Sequence, residues 1–285
     1  MKRILFLLAF LMIVAGSIFG WQKYYDYYKK DFYSQNKYNE NPVYQDHLDE
    51  FDIKKSYYID DNYERYIAYR KKHPNYSDDT VINYVNIGLD NPFYTNMQKT
   101  DMSDGLLVLC NKYHTLEKNY VPNLVSLAGY GGGQLQPEAA KYFKKMVDDA
   151  KKDGIKLWNV SAYRSYNTQK NLYNNYVNRD GVAKADTYSA RPGSSEHQTG
   201  LATDINTASS GAHFDKTNEY GWLIKNSYKY GFILRYPDGK TFITGYKYEP
   251  WHYRYVGKEA AKIIYDEKLT YEEYYVIYML RKKGA

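Results

Sequence analysis

The sequence predicts an α+β fold in which a largely antiparallel central sheet is flanked by helices. Helical and extended segments are mixed along the chain rather than strictly alternating, which argues against a parallel sheet of βαβ units. Leu201, Thr203 and Ile205 alternate with Ala202, Asp204 and Asn206, the two-residue period of a strand with one apolar face. Pro237-Asp-Gly-Lys240, set between two short apolar runs, is a turn signal of the kind that joins antiparallel strands.

The chain opens with Met1-Lys2-Arg3 and an uncharged, largely apolar run from Ile4 to Phe19. Such a run is a secretory signal or a short membrane anchor. A small-x-small cleavage site ending at Gly16 or Gly20 would place Val14 or Ile18 at its minus-three position. Residues 1–20 are therefore expected to remain as a membrane anchor on an extracytoplasmic protein, with secretion after cleavage as the alternative. Residues 21 to about 58 are polar, aperiodic and rich in Tyr, Asp, Lys and Asn, the composition of a stalk. Helices are expected from Asp60 to Lys72 and from Asp78 to Gly88, interrupted at His73-Pro74. Ser77 can cap the second, whose apolar stripe is Val81, Ile82 and Val85. Residues 21–103 thus form a stalk and small helical extension, and 104–285 the main domain.

Within that domain, Gly129-Tyr-Gly-Gly-Gly133 reads as a flexible loop, without the strand–helix frame and acidic partner of a dinucleotide-binding turn. Pro137 opens a helix with Ala139, Phe143, Met146, Val147 and Ala150 at helical spacing, stopped by Gly154. Ile155 to Tyr163 reads as a strand, and Asn167 as the cap of a helix to about Asn178. Thr217 can cap a helix through Tyr230 that Gly231 ends. Phe232–Tyr236 and Thr241–Thr244 are expected to pair as a hairpin about Pro237–Lys240, with a further extended stretch from Tyr246 to Val256. Two helices finish the chain, the second starting with a capping box at Thr270 and Glu273.

At 285 residues the chain can hold one large domain and an appendage. The 37 tyrosines, beside abundant Asn and Lys, read as the compositional drift of an AT-rich genome rather than as a tyrosine function. The net charge of +6 is mild. It suits an anionic neighbourhood such as a bacterial wall or membrane surface, and no dense basic patch marks the chain as a nucleic-acid binder. Cys110 is the only cysteine, so no intrachain disulfide is possible.

The chemistry concentrates in Ser195-Glu-His-Gln-Thr-Gly-Leu-Ala-Thr-Asp204 and Glu249-Pro-Trp-His252, which hold two of the six histidines. Two His and one Asp can hold a catalytic zinc with a fourth position left for water, and a spare Glu can take that water's proton. Gly200 lets the backbone turn between His197 and Asp204, and Pro250 can bend the chain so that Glu249 and His252 converge. Taken singly, each piece has an ordinary alternative: His197 as an exposed residue beside an acid, and His252 as a packed residue among Trp251, Tyr253 and Tyr255.

Together, in this order, S-x-H-x-x-G-x-A-x-D and E-x-x-H resemble the zinc D,D-carboxypeptidases of the VanY type, within the wider group of lysostaphin-like enzymes, D-Ala-D-Ala dipeptidases and the hedgehog signalling domain. Ser161-Ala-Tyr-Arg-Ser-Tyr-Asn-Thr-Gln169 is similar to the family's substrate-binding segment, with Ala162 where glycine is usual. Tyr236-Pro, Thr244-Gly-Tyr246 and Glu249–Gly257 are similar to its C-terminal segment. The resemblance covers roughly residues 104–265 and implies a hedgehog-like α+β fold. It makes His197, Asp204 and His252 the Zn2+ ligands, Glu249 the general base, and Arg164 a cation for a carboxylate or the developing oxyanion. Gln169 and Ser195 would hydrogen-bond the substrate; Ser195 could equally be a turn or cap residue. No motif position claims His213, which reads as a surface-loop residue. The implied activity is removal of the C-terminal D-alanine from peptidoglycan stem peptides by a monomer. An L,D-carboxypeptidase acting on tetrapeptide stems is a second reading, and a non-catalytic zinc-containing wall-binding domain a third, which the presence of Glu249 argues against.

Overall fold

Leu201 and Ile205 point to one side of a strand and Asp204 to the other, and the sheet is built on that division. The computed structural model describes residues 57–207 and 213–280. The anchor expected over 1–20, and the stalk as far as residue 56, lie outside the described residues. Among the described residues no helix is long and apolar enough to cross a membrane.

Helix α1 (Tyr63–Lys72) and helix α2 (Asp78–Ile87) are antiparallel neighbours joined through His73-Pro74, and the Ser77 hydroxyl accepts from the Thr80 amide as the N-cap of α2. Ile87 packs with Ile243 and Val276, so this helical extension docks on the main domain. Helix α3 (Pro137–Lys152) buries Ala139, Phe143, Met146 and Ala150. Strand β1 (Trp158–Ser161) leads to helix α4 (Tyr166–Asp180). The cap of α4 is Ser165 rather than Asn167: its hydroxyl accepts from Thr168 N at 3.2 Å, and a hydroxyl two residues earlier in the chain claims the first turn. Strand β2 (Ala202–Asn206) follows, then helix α5 (Asn218–Asn226), strand β3 (Phe232–Leu234), strand β4 (His252–Tyr255), helix α6 (Lys258–Glu267) and the short α7 (Tyr271–Tyr274), which opens with the expected Thr270–Glu273 capping box.

The four strands form one antiparallel sheet in the order β1-β2-β4-β3. Leu201, Ile205, Phe232, Tyr253 and Tyr255 lie on the face packed against α3 and α5, in the main core. The hairpin expected about Pro237–Lys240 does not form. Thr241–Thr244 is a single helical turn whose amides close on Lys240, ended by Gly245 at φ 77, with Ile243 and Thr244 buried and Thr241 and Phe242 exposed. Strand β3 instead pairs with β4, Leu234 opposite Tyr253 and Phe232 opposite Tyr255, because those apolar and aromatic pairs pack into the core.

The Gly129–Gly133 loop covers the outer edge of β1. Asn159 N donates to Tyr130 O at 3.0 Å and the Asn159 side-chain amide to Gly132 O at 2.6 Å, while its carbonyl oxygen accepts from Thr203 Oγ1 at 2.6 Å. An open sheet edge is thereby closed. Gly131, at φ 108, passes so near that a Cβ would sit 2.1 Å from the Asn159 carbonyl oxygen. Gly131→Ala is expected to cost at least about 1–3 kcal/mol of stability, the usual cost of a strained backbone position, and to lower the urea midpoint. An unchanged midpoint would show that the loop is not held in this way.

Candidate metal centre

Glu196–Thr199 is one 3-10 turn, and Gly200 ends it in the left-handed region at φ 67. A Cβ on residue 200 would also meet Leu124 Cδ2 at 2.9 Å, so glycine is required for conformation and for space. The turn carries His197 inward. His197 Nδ1 donates to the Ala162 carbonyl at 2.7 Å, which leaves Nε2 bare and 3.5 Å from Asp204 Oδ2. Asp204 stands directly opposite His252 in the β2–β4 register, and His252 Nδ1 lies 3.3 Å from Asp204 Oδ1. Glu249-Pro-Trp-His252 is a tight turn, with His252 N donating to Glu249 O at 3.1 Å and proline presetting the backbone at its second position. It brings Glu249 Oε2 to 3.5 Å from His252 Nδ1.

His197, Asp204 and His252 offer three donor atoms within 4.8 Å of one another. Tetrahedral zinc, with bonds of ~2.0–2.2 Å, holds its ligand atoms roughly 3.3–3.5 Å apart; each imidazole here lies at such a distance from one Asp204 oxygen, His197 Nε2 at 3.5 Å from Oδ2 and His252 Nδ1 at 3.3 Å from Oδ1. Asp204 Oδ1 is buried without a hydrogen-bond partner in the protein, an acceptor that a cation would satisfy. The residues present therefore fit a zinc ion with three protein ligands.

A cleft of about 380 Å³ opens on these groups, walled by Tyr236, Tyr246 and Trp251. Arg164 reaches it from the end of β1, 3.8 Å from Asp204 Oδ2. Its guanidinium donates to Gln169 Oε1 at 2.7 Å and to Ser161 Oγ at 2.9 Å. Gln169 lines the cleft but is buried, and its amide donates to the Ala190 carbonyl at 2.7 Å, so its polar atoms brace Arg164. Ser195 also lines the cleft; its side chain makes no cap bond to the turn it precedes. His213 is exposed and does not line the cleft.

Sequence reasoning passed over a buried charge cluster behind His252. Glu196 Oε1 accepts from Arg235 Nε at 2.8 Å and from an Arg254 guanidinium nitrogen at 2.9 Å. Glu272 accepts from Arg235 through both carboxylate oxygens, at 2.9 and 2.6 Å. All four side chains are buried. A lone arginine in each of two otherwise apolar and aromatic runs, Phe232–Tyr236 and Tyr253–Val256, was the available signal.

Burial dominates the site's electrostatics. It would raise the Asp204 carboxyl, but the two imidazoles beside it hold it well below the usual carboxylate range. Burial lowers His197. For His252 burial works the same way but is outweighed by Asp204 and Glu196, which push the imidazole up to about 9. Glu249 is pushed up to about 7, chiefly by burial, with His252 opposing.

The family model described as VanY, D-alanyl-D-alanine carboxypeptidase, matches residues 132–258. A putative carboxypeptidase of Bacillus subtilis, YodJ, is 42% identical over 205 residues, covering 66% of this chain and 75% of that protein. Among solved structures, the LdcB LD-carboxypeptidase is 42% identical with a TM-score of 0.58, over 65% of this chain and 93% of that one. A mutant of the vancomycin-resistance D,D-pentapeptidase VanY in complex with Zn(II) is 39% identical with a TM-score of 0.53, over 59% of this chain and 97% of that one. VanYB in complex with D-alanine-D-alanine shows the same identity and TM-score, 39% and 0.53.

Glu249 gives the metal-free fold a pH dependence. Its folded value of about 7 lies above the ordinary 4.5, so the stability it contributes is complete below about 4.5 and is lost as the pH rises through about 7. Glu249→Gln removes the charge that burial disfavours. It is expected to stabilise the metal-free protein by about 1–3 kcal/mol at pH 8, from ~1.4 kcal/mol per tenfold change in proton affinity, and to leave it unchanged at pH 4. Calorimetry at the two pH values checks this; equal shifts at both would contradict it.

Proposed function

The chain belongs to the VanY family of D-alanyl-D-alanine carboxypeptidases, and from that premise we propose that it is a zinc-dependent D,D-carboxypeptidase removing the C-terminal D-alanine from peptidoglycan stem peptides. The observation that carries this reading is the convergence of His197, Asp204 and His252, whose donor atoms lie within 4.8 Å of one another, with a separate carboxylate, Glu249, beside them. Those three residues would hold the ion. Bound zinc supplies a Lewis acid for the scissile carbonyl and an acidified water. Glu249, buried 3.5 Å from His252 and not itself one of the three ligands, is placed to take a proton from water and hand it to the departing amine. Arg164, held in place by Gln169 and Ser161, presents its planar fork to a substrate carboxylate or to the oxyanion as it develops. Ser195 offers a hydroxyl to the substrate in the same cleft. The basic, then apolar, start of the chain supports an outward-facing, membrane-anchored enzyme, which places the cleft on the side of the membrane where stem peptides are found.

The likeness to the LdcB LD-carboxypeptidase supports a second reading, trimming of tetrapeptide stems to tripeptides. The metal ligands serve either activity, so substrates must decide. Zinc-replete protein incubated with a D-Ala-D-Ala-ending pentapeptide and a D-Ala-ending tetrapeptide is expected to release D-alanine faster from the pentapeptide; faster release from the tetrapeptide would favour the second reading.

Glu249→Ala is expected to keep one zinc per chain and to lose at least about 10²-fold in kcat, the lower end of what a positioned general base contributes. Hydrolysis at the wild-type rate would remove Glu249 from the mechanism. Arg164→Lys keeps the charge but not the fork, and is expected to fall by at least about tenfold in kcat/KM, as one lost charge-assisted contact of 1.5–3 kcal/mol implies. Wild-type kcat/KM in that variant would exclude bidentate contact.

A further inference from the structure

We propose that Glu196 is a positioning residue for the metal centre: its Oε2 holds the His252 ring with Nε2 protonated and Nδ1 free to bind the ion. The inference rests on the metal reading above and concerns a residue that no part of that reading uses. His252 Nδ1 faces Asp204 and Glu249, so Nε2 is the nitrogen turned away from the cleft. Nε2 is buried with no hydrogen-bond partner, and so is Glu196 Oε2; these two orphaned atoms face each other at 3.6 Å. At 3.6 Å the pair is longer than a hydrogen bond, but each atom is aimed at a group of the opposite kind, a donor at an acceptor.

The way Glu196 meets its arginines sharpens the case. A carboxylate acting only as a counter-ion can spread itself over both oxygens, as Glu272 does with Arg235. Glu196 takes both of its arginine bonds on Oε1 and leaves Oε2 to the imidazole. The arginines are themselves fixed. Arg254 also donates to the Leu106 and Val108 carbonyls at 3.0 and 2.8 Å, and Arg235 is gripped by Glu272. Arg235 N donates to His252 O at 3.0 Å, which ties the cluster to the same stretch of strand. The carboxylate is thus held rigidly on one side and presents one free oxygen to the back of a ligand ring. A carboxylate behind a ligating histidine fixes the ring's tautomer and orientation and raises its basicity toward the metal.

The test is the zinc dissociation constant of the folded protein, measured by competition with a chromophoric chelator for wild type, Glu196→Gln and Glu272→Gln. Both variants remove one buried charge from the same cluster, but only the first touches His252. Glu196→Gln is expected to bind zinc 10- to 100-fold more weakly, as loss of such an outer partner does, while Glu272→Gln keeps wild-type affinity whatever it does to stability. Equal affinity in wild type and Glu196→Gln, or equal losses in the two variants, would overturn the proposal. Wild-type protein labelled with 15N-histidine provides a measurement that needs no variant to fold: zinc-loaded His252 should show a slowly exchanging, downfield Nε2 proton, and a rapidly exchanging one would overturn the assignment. A wild-type protein that binds no zinc would instead overturn the metal reading and this inference with it.

Discussion

A carboxylate and an imidazole set opposite each other across two antiparallel strands, Asp204 on β2 and His252 on β4, fix where the other groups of the cleft must go. Side chains alternate between the faces of a strand, so a slip of one residue would turn Asp204 into the core and Ile205 toward the cleft. The register is protected from both sides. Leu201, Ile205, Tyr253 and Tyr255 fill the core face, and Thr203 is tied by hydrogen bond to Asn159 on the neighbouring strand. The apolar face therefore sets the geometry of the polar one. His197 is delivered to the same point by a turn that only Gly200 allows, and Glu249 by a proline turn one step before β4.

That arrangement concentrates charge where water is scarce. Isolated buried ions are costly, and breaking a buried pair by removing one partner commonly costs 3–5 kcal/mol or roughly that. The protein answers with neighbours rather than with exposure. Asp204 has two imidazoles and Arg164 beside it. Glu196 and Glu272 face Arg235 and Arg254, two acids against two cations, behind the site. Only at Glu249 do the neighbours fail to outweigh burial, and it alone among the carboxylates of the cleft is pushed upward. The separation of roles follows from placement: the acid flanked by two imidazoles suits a ligand, and the acid left outside that set suits a proton carrier.

Much of this was legible in the sequence where a local signal had a single physical reading. The alternation of Leu201 to Asn206 gave a strand with Asp204 on its polar face, Pro137 opened a helix, Ser77 capped one, and Thr270 with Glu273 formed a capping box. The hairpin about Pro237–Lys240 failed because the turn signal was real but the strand's partner was chosen by distant packing: Phe232 and Leu234 pair with Tyr255 and Tyr253. The charge cluster was illegible for the same reason. Arg235, Arg254, Glu196 and Glu272 are far apart in sequence and meet only when two strands, the 3-10 turn and the C-terminal helix assemble. The role of Gln169 as a brace for Arg164 likewise depends on where Ala190 arrives, which no spacing in the chain records.

The central claim, that the His197–Asp204–His252 cluster makes this protein a metal-dependent carboxypeptidase, is tested most directly by D-alanine release before and after metal removal. Wild-type protein is stripped with a chelator, dialysed, and given back one equivalent of zinc in the presence of a D-Ala-D-Ala-ending stem peptide. The stripped protein should release no D-alanine and the reconstituted protein should recover full activity. Release that is indifferent to the chelator would contradict the account.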